Sequence, residues 1–137
     1  MRWSKAFIPT LRDDPTDAEA VSHKLLVRGG YIRQLMSGVY SMLPLGQRVR
    51  ENVMQIIREE IDAIGGQEFM LPQLHPREIW DRTGRIATMS DIIMAFDDNK
   101  GSPVILGPTH EEIFATVSTE LTSYKQLPQL WYHIQTK

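Results

Sequence analysis

The segment from Pro108 to Glu112 combines a threonine, a histidine and two glutamates, and it is the most informative stretch for chemistry in the sequence. The spacing Thr-x-x-Glu between Thr109 and Glu112 fits a capping box, in which both side chains satisfy backbone N–H groups at a helix start. One interpretation is therefore helix initiation alone, with Glu112 as a structural cap. It leaves Glu111 with no task beyond a favourable interaction with the helix dipole.

A second interpretation assigns Thr109 and Glu111 to a ligand. Both side chains would project from one turn towards an ammonium group, the hydroxyl accepting one N–H and the carboxylate neutralising the charge. A protonated secondary amine has two N–H donors, so these two acceptors would satisfy it completely. The pattern is too short to decide between the two interpretations by itself.

Other common site chemistries lack their sequence patterns. The four histidines are scattered and no His-Glu-x-x-His spacing surrounds His110, so we expect no metal site. The absence of cysteine excludes disulfides, thiolate zinc sites and a cysteine nucleophile. Neither a P-loop nor a Gly-x-Gly-x-x-Gly motif occurs, so a nucleotide site would need another architecture.

Charge and composition indicate an ordinary globular chain. Of its 137 residues, 42% are hydrophobic and 23% charged, and the formal net charge is −2. That charge argues against a broad nucleic-acid-binding surface, so any RNA contact would be local. The start lacks the apolar core of a signal peptide, and no apolar run reaches the roughly 18 residues of a membrane helix. We expect a cytoplasmic protein with no membrane partner.

Hydrophobic spacing predicts the elements that must position the Thr109 segment. The clearest is a long amphipathic helix from Leu45 to Ile64, ended by a glycine pair. Two apolar runs around Asp97-Asp98-Asn99-Lys100-Gly101 predict an antiparallel hairpin. The other predictions are a helix starting near Thr16, a helical turn from Tyr31 to Met36, a short helix from Pro76 to Asp81, and strands at Val39–Leu43, Gln67–Leu71 and Leu130–Gln135.

These elements favour an α+β fold in a single domain over residues 1–137. Pro72 directly follows a predicted strand and cannot donate a ladder hydrogen bond, which indicates an edge or an interface. The sequence ends within a predicted strand, so we expect it to be a truncated part of a larger sheet.

Several segments, in order, resemble bacterial prolyl-tRNA synthetase, a class II aminoacyl-tRNA synthetase. They are Leu106-Gly107-Pro108-Thr109-His110-Glu111-Glu112, Ser123-Tyr124-Lys125-Gln126-Leu127-Pro128 and Ile134-Gln135-Thr136-Lys137. Gly38-Val39-Tyr40-Ser41-Met42-Leu43-Pro44-Leu45-Gly46 is similar to the start of that family, and the long helix through Pro72 resembles class II motif 1. The resemblance covers essentially the whole chain, from motif 1 through the first strand of motif 2.

The resemblance implies part of an antiparallel class II catalytic sheet flanked by helices, with Pro72 at a homodimer interface. Thr109 and Glu111 match the family residues that hold the amino group of proline, while Glu112 keeps the cap. It implies ATP-dependent formation of prolyl-adenylate and transfer to tRNA(Pro), with Mg²⁺ as activator. The motif 2 arginine and motif 3 are absent, so we expect no catalytic residue here, an inactive fragment, and poor or oligomeric behaviour in isolation.

Two other function classes remain open at this level. One is a non-catalytic module that retained the fold for binding or regulation. The other is a related class II ligase for another small amino acid, which the Thr-His-Glu-Glu match disfavours.

Overall fold

The computed structural model describes residues 2–16 and 18–136. The sequence predicts one domain over residues 1–137, whereas the backbone contacts group the chain into two compact units, Met1–Ile61 and Asp62–Lys137. Each unit is therefore described by itself.

The first unit combines helices with a β-hairpin. Its two strands, β1 (Ile32–Met36) and β2 (Val39–Met42), pair antiparallel, with an irregularity between Gln34 and Met36. Gly38 provides the turn with a φ of 77°, a conformation that residues with a Cβ rarely adopt. The remaining elements are a 3₁₀ turn at Trp3–Lys5 and helices α1 (Val21–Arg28) and α2 (Pro44–Ala63).

Two predictions for this unit are wrong. The first helix begins at Val21 rather than near Thr16, and its N-cap, Ala20, has no side-chain capping bond; Asp17 lies outside the described residues. The segment predicted as a helical turn, Tyr31 to Met36, is mostly strand β1. Its cross-strand partner β2 determines its conformation, which local spacing cannot reveal.

The predicted long helix is confirmed as α2, Pro44–Ala63. Gly46 is buried against the carbonyl of Tyr31, and a Cβ at that position would overlap the carbonyl oxygen. Met54 is the buried side chain of the helix. The valines and isoleucines that make this helix amphipathic are largely exposed, with exposed fractions of 51% for Val49, 51% for Val53, 60% for Ile56 and 42% for Ile57.

The second unit contains a three-stranded antiparallel sheet in the order β4 (Leu74–Pro76), β6 (Pro103–Leu106), β5 (Met94–Asp97). The predicted hairpin is confirmed as β5 and β6, which pair from Met94 opposite Leu106 to Asp97 opposite Pro103. The other elements are β3 (Gln67–Glu68), α3 (Arg77–Thr83), α4 (Arg85–Thr88), α5 (Glu111–Ser118), a 3₁₀ turn at Tyr124–Gln126 and β7 (Trp131–Tyr132).

Two predicted strands are much shorter than their apolar runs. The run from Gln67 to Leu71 yields only β3, and the run from Leu130 to Gln135 yields only β7. These two short strands pair in parallel, and Phe69 N–H adds one bond to the carbonyl of Tyr132 at 2.7 Å. Pro72, which has no N–H to donate, lies in the loop before β4 and is exposed.

The fold is thus a mixture of helices and small, mostly antiparallel sheets, in agreement with the α+β prediction at that level. Instead of one continuous sheet, the described residues form three small ones. In the second unit the largest fully buried side chains are Trp80, Ile105, His75 and His110. His110 belongs to the Thr109 segment, and the His75 ring lies 4.9 Å from the His110 ring between centroids, so both imidazoles are described with the site.

Candidate functional site

The loop that carries Thr109 connects β6 to α5 and is fastened to the segment before β4. The N–H of Gly107 donates to the carbonyl of Gln73 at 2.9 Å, and the Gln73 side-chain amide donates to the Gly107 carbonyl at 2.7 Å. Gln135 Nε2 donates to Gln73 Oε1 at 2.9 Å. The start of the loop is therefore held by residues remote in sequence.

The two predicted ligand-binding side chains are both on this connection. Thr109 precedes α5, and its Oγ1 is shielded from solvent with no hydrogen-bond partner among the described residues. Glu111 is the first residue of α5, and 69% of its side chain is exposed. One acceptor is thus screened and unsatisfied, while the other, a carboxylate, is open to solvent.

The predicted capping role of Glu112 is wrong. The N-cap of α5 is His110, and no side chain makes a capping bond. Glu112 instead accepts a hydrogen bond from Arg85 Nη1 at 2.7 Å, and only 3% of its side chain is exposed. A guanidinium donor is charged, so it stabilises a shielded carboxylate more than a neutral backbone N–H would.

Arg85 contacts both glutamates of the segment and was not predicted from the sequence. Its Nη1 also lies 3.6 Å from Glu111 Oε2, and its Cζ lies 5.3 Å from the centre of the Trp80 ring, a cation–π geometry. Local sequence around Arg85 gives no indication of its partner, because Glu112 lies 27 positions later in the chain.

Two buried histidines meet at the carbonyl of Pro72. His75 Nε2 lies 3.0 Å and His110 Nε2 3.1 Å from that oxygen. A carbonyl oxygen can only accept, so both Nε2 atoms carry the proton. Trp80 Nε1 donates to His75 Nδ1 at 3.1 Å, which agrees with this tautomer. The Pro72 carbonyl thereby connects the exposed loop before β4 to His110, the residue between Thr109 and Glu111.

The packing around His75 depends on a glycine. A Cβ at Gly107 would overlap the imidazole of His75, which is fully buried. Gly107 was matched to a family motif from sequence, but its packing role was not predicted.

A cleft of about 250 Å³ lies beside the start of the loop. Its lining is mostly apolar and comprises Gln73, Ile92, Met94, Leu106, Gly107 and Pro108. Within the described residues, no group of three or more histidine, aspartate or glutamate side chains is arranged to hold a metal ion. None of the helices in the described part of the chain combines the length and apolar character needed to span a membrane.

Comparison with known proteins adds relatives that match this chain along its entire length. It is 58% identical over 138 residues to the proline–tRNA ligase of Anaeromyxobacter sp. (strain K), covering 100% of this chain and 24% of that protein. It is 53% identical to that of Acidobacterium capsulatum (strain ATCC 51196), covering 99% of this chain and 23% of the relative. The chain resembles proline–tRNA ligases throughout. It spans about a quarter of the length of these curated relatives.

Solved structures give a more distant likeness. The RNA-binding domain of threonyl-tRNA synthetase from Cryptosporidium parvum Iowa II superposes with a TM-score of 0.68 at 21% identity, covering 74% of this chain and 26% of that one. At that identity the likeness concerns the fold. No model of a known protein family matches the chain.

Proposed function

We propose that the protein carrying this chain is a proline–tRNA ligase, which activates proline with ATP to prolyl-adenylate and transfers the prolyl group to tRNA(Pro). The sequence similarity supports this, because it covers the whole chain at up to 58% identity in the relatives compared. In the resemblance noted from the sequence, Thr109 and Glu111 match the residues that hold the amino group of proline, and the proposal carries that role over to them.

The observation that carries the proposal is the unpaired hydroxyl of Thr109. Its Oγ1 is shielded from solvent without a partner among the described residues, although polar atoms in such positions are normally hydrogen-bonded. A rotation about χ1 carries the hydroxyl to another staggered position, and the proposal requires that a ligand donor can reach it there. The loop around it is held by remote hydrogen bonds. An unsatisfied acceptor in a fixed loop suits a ligand that brings its own donor.

Glu111 supplies the charge in this proposal. Its carboxylate is exposed and lies at the first position of α5, so an incoming ammonium can approach it without opening the core. Proline has a secondary ammonium with two N–H donors, one for each acceptor. The nearby cleft, at about 250 Å³, is smaller than the roughly 300–1,000 Å³ of pockets for drug-sized ligands. Its apolar lining suits a pyrrolidine ring.

ATP and Mg²⁺ enter the proposal as substrate and activator of the whole protein. Because the described residues contain no group arranged as metal ligands, we assign the ion to no residue of this chain. Catalysis of the adenylation step would depend on positioning and on stabilising charge around the α-phosphate.

The proposed ligase is a cytoplasmic homodimer, and its catalytic sheet is of the class II type. The exposed valines and isoleucines of α2 support the dimer, since a stripe of this kind on a helix is typical of an interface. Pro72, exposed in its loop, would lie at that interface. Sedimentation of the full-length protein checks this: a monomer at micromolar concentration would contradict it.

The activity is tested by proline-dependent ATP–pyrophosphate exchange with the full-length protein that carries this chain. We expect exchange in the unmodified protein and a fall of about 10- to 150-fold in kcat/KM for proline with Glu111→Gln. A hydrogen bond to a charged group is worth about 1.5–3 kcal/mol, and each 1.4 kcal/mol corresponds to a factor of ten.

Glu120→Gln is the matched control, because Glu120 is exposed and lies beyond the end of α5. This variant should catalyse proline-dependent exchange at the same rate as the unmodified protein. No exchange in the unmodified protein would contradict the ligase proposal and favour a non-catalytic binding module. Equal losses in both variants would contradict the role of Glu111.

A further inference from the structure

Arg85 lies between two neighbouring carboxylates. Its Nη1 is 2.7 Å from Glu112 Oε1 and 3.6 Å from Glu111 Oε2. Arg85 begins α4, whereas both glutamates belong to the first turn of α5. One guanidinium thus connects two helices through charges that are adjacent in sequence.

The two contacts differ in kind. Glu112 is 3% exposed at its side chain and makes a short, charge-assisted hydrogen bond, which is strong where water is excluded. Glu111 is 69% exposed, and its separation of 3.6 Å exceeds ordinary hydrogen-bond lengths. Arg85 is therefore held by its hydrogen bond to Glu112. The same guanidinium also attracts the Glu111 carboxylate electrostatically.

The position of the guanidinium is fixed from other sides as well. It lies 5.3 Å from the centre of the Trp80 ring, and Trp80 is fully buried. Its Nη2 contacts Met89 Sδ at 3.5 Å. A planar group held by an aromatic face and a buried carboxylate has little freedom to follow Glu111, so Glu111 must adapt to it.

We propose that Arg85 is a positioning residue that orients the Glu111 carboxylate for a ligand ammonium. This inference rests on the proposed function and adds the residue that prepares its charged acceptor. An exposed glutamate samples several rotamers, and a fixed cation beside it restricts them before the ligand arrives. An ionised carboxylate offers about four acceptor sites, so pairing with Arg85 does not by itself exclude a hydrogen bond from an incoming N–H. A purely structural ion pair would need only Glu112.

The test compares Arg85→Lys with unmodified full-length protein in the proline-dependent exchange reaction. Lysine keeps the charge but lacks the planar fork that fixes the geometry towards both carboxylates. We expect the KM for proline to rise about 10-fold and the KM for ATP to change less than about twofold, since only the orientation of Glu111 is lost.

Arg77→Lys is the matched control. Arg77 pairs with Asp81 at 3.5 Å on the exposed surface of α3, so both KM values should stay unchanged. A lower melting temperature with unchanged KM for proline in Arg85→Lys would assign Arg85 a structural role only and overturn the inference. A lower KM for proline would overturn it too, because Arg85 would then compete with the ligand.

A double-mutant cycle identifies the residue through which Arg85 acts. In a Glu111→Asp background, Arg85→Lys should add less than about a twofold change in the KM for proline, because the orientation it provides is already lost. The same 10-fold rise in both backgrounds would overturn the inference.

A second variant keeps the inference testable if Arg85→Lys does not fold. Glu112→Gln preserves the size of the anchor and removes its charge, and it should raise the KM for proline about fivefold. An unchanged KM would overturn the inference. Absence of exchange in the unmodified protein would overturn the proposed function and this inference together, whereas active unmodified protein with unresponsive variants would overturn the inference alone.

Discussion

The loops at the two ends of β6 obtain their hydrogen bonds from different sources. Before β6, the Asp98 carboxylate accepts from the N–H groups of Lys100 and Ser102, both at 2.8 Å. The Gly101 N–H donates to the Asp98 carbonyl at 2.9 Å. The hydrogen bonds of this loop are therefore made among its own five residues, 98–102.

The loop after β6 depends on remote partners. Gln73 holds Gly107, and the Pro72 carbonyl accepts from His110. The hydroxyl of Thr109 has no partner among the described residues. The loop before β6 satisfies its polar groups with its own residues. The loop after β6 is held by residues remote in sequence and keeps one unsatisfied acceptor, the Thr109 hydroxyl, which suits it to bind a ligand.

The largest difference between these loops should appear on adding a side chain to a glycine in each. Gly107→Ala places a Cβ against the imidazole of His75, which cannot move because Trp80 and Pro72 hold both of its nitrogens. Overpacking of this kind lowers the free energy of unfolding by about 1–3 kcal/mol. Chemical denaturation of the full-length protein measures this loss.

Gly101→Asn is the comparison for that change. No atom lies within 4 Å of a Cβ at Gly101, whose φ is 79°, and asparagine tolerates that conformation better than most residues. We expect a loss below about 1 kcal/mol. Equal losses at the two glycines would show that His75 yields easily, and that the loop after β6 is less rigidly packed than its contacts indicate.

A second prediction separates ligand binding from folding at Thr109. Thr109→Val replaces the hydroxyl with a methyl group of similar size. Because Oγ1 has no hydrogen-bond partner within residues 2–16 and 18–136, its removal should leave the melting temperature unchanged or raise it. The KM for proline in exchange should rise about 10-fold, the value of one hydrogen bond of about 1.4 kcal/mol.

Thr116→Val is the control for that substitution. Thr116 Oγ1 donates to the Glu112 carbonyl at 2.8 Å within α5, so its loss should affect stability but not the KM for proline. A lower melting temperature in Thr109→Val with an unchanged KM would indicate that its hydroxyl serves the fold.

The two loops also show which features could be predicted from the sequence and which could not. The hairpin turn was predicted because asparagine, aspartate and glycine act on backbone groups a few residues away. Helix α2 was predicted from its spacing for the same local reason. By contrast, the Thr-x-x-Glu spacing favoured a cap for Glu112, but Arg85 binds that carboxylate instead.

The candidate site was only partly predictable for the same reason. Thr109 and Glu111 lie on the predicted connection, but the residues that hold it do not belong to any local motif. His75 was regarded as one of several scattered histidines, and Arg85 was assigned no role. Their roles depend on contacts between residues far apart in sequence, and a single sequence shows no such pairing. The ligand roles of Thr109 and Glu111 themselves stay predictions.

The smallest expected effect concerns the charge in the loop before β6. Hydrogen bonds from the backbone N–H groups of Ser102 and Lys100 lower the pKa of Asp98 below 3.8. The charged form is therefore favoured in the folded state. Its contribution to stability is present above the unfolded pKa of about 3.9 and is lost as the pH falls through the lower, folded value.

Asp98→Asn keeps a side-chain oxygen acceptor but removes this charge. We expect a melting temperature about 1–2 °C below that of the unmodified protein near pH 7, and a smaller difference at a pH well below the unfolded pKa of about 3.9. Calorimetry at the two pH values measures both differences. Because no residue of the loop before β6 belongs to the proposed ligand site, the KM for proline should be the same in both proteins. A changed KM would show that the two ends of β6 are coupled, and would remove the distinction between a self-contained loop and a ligand-binding one.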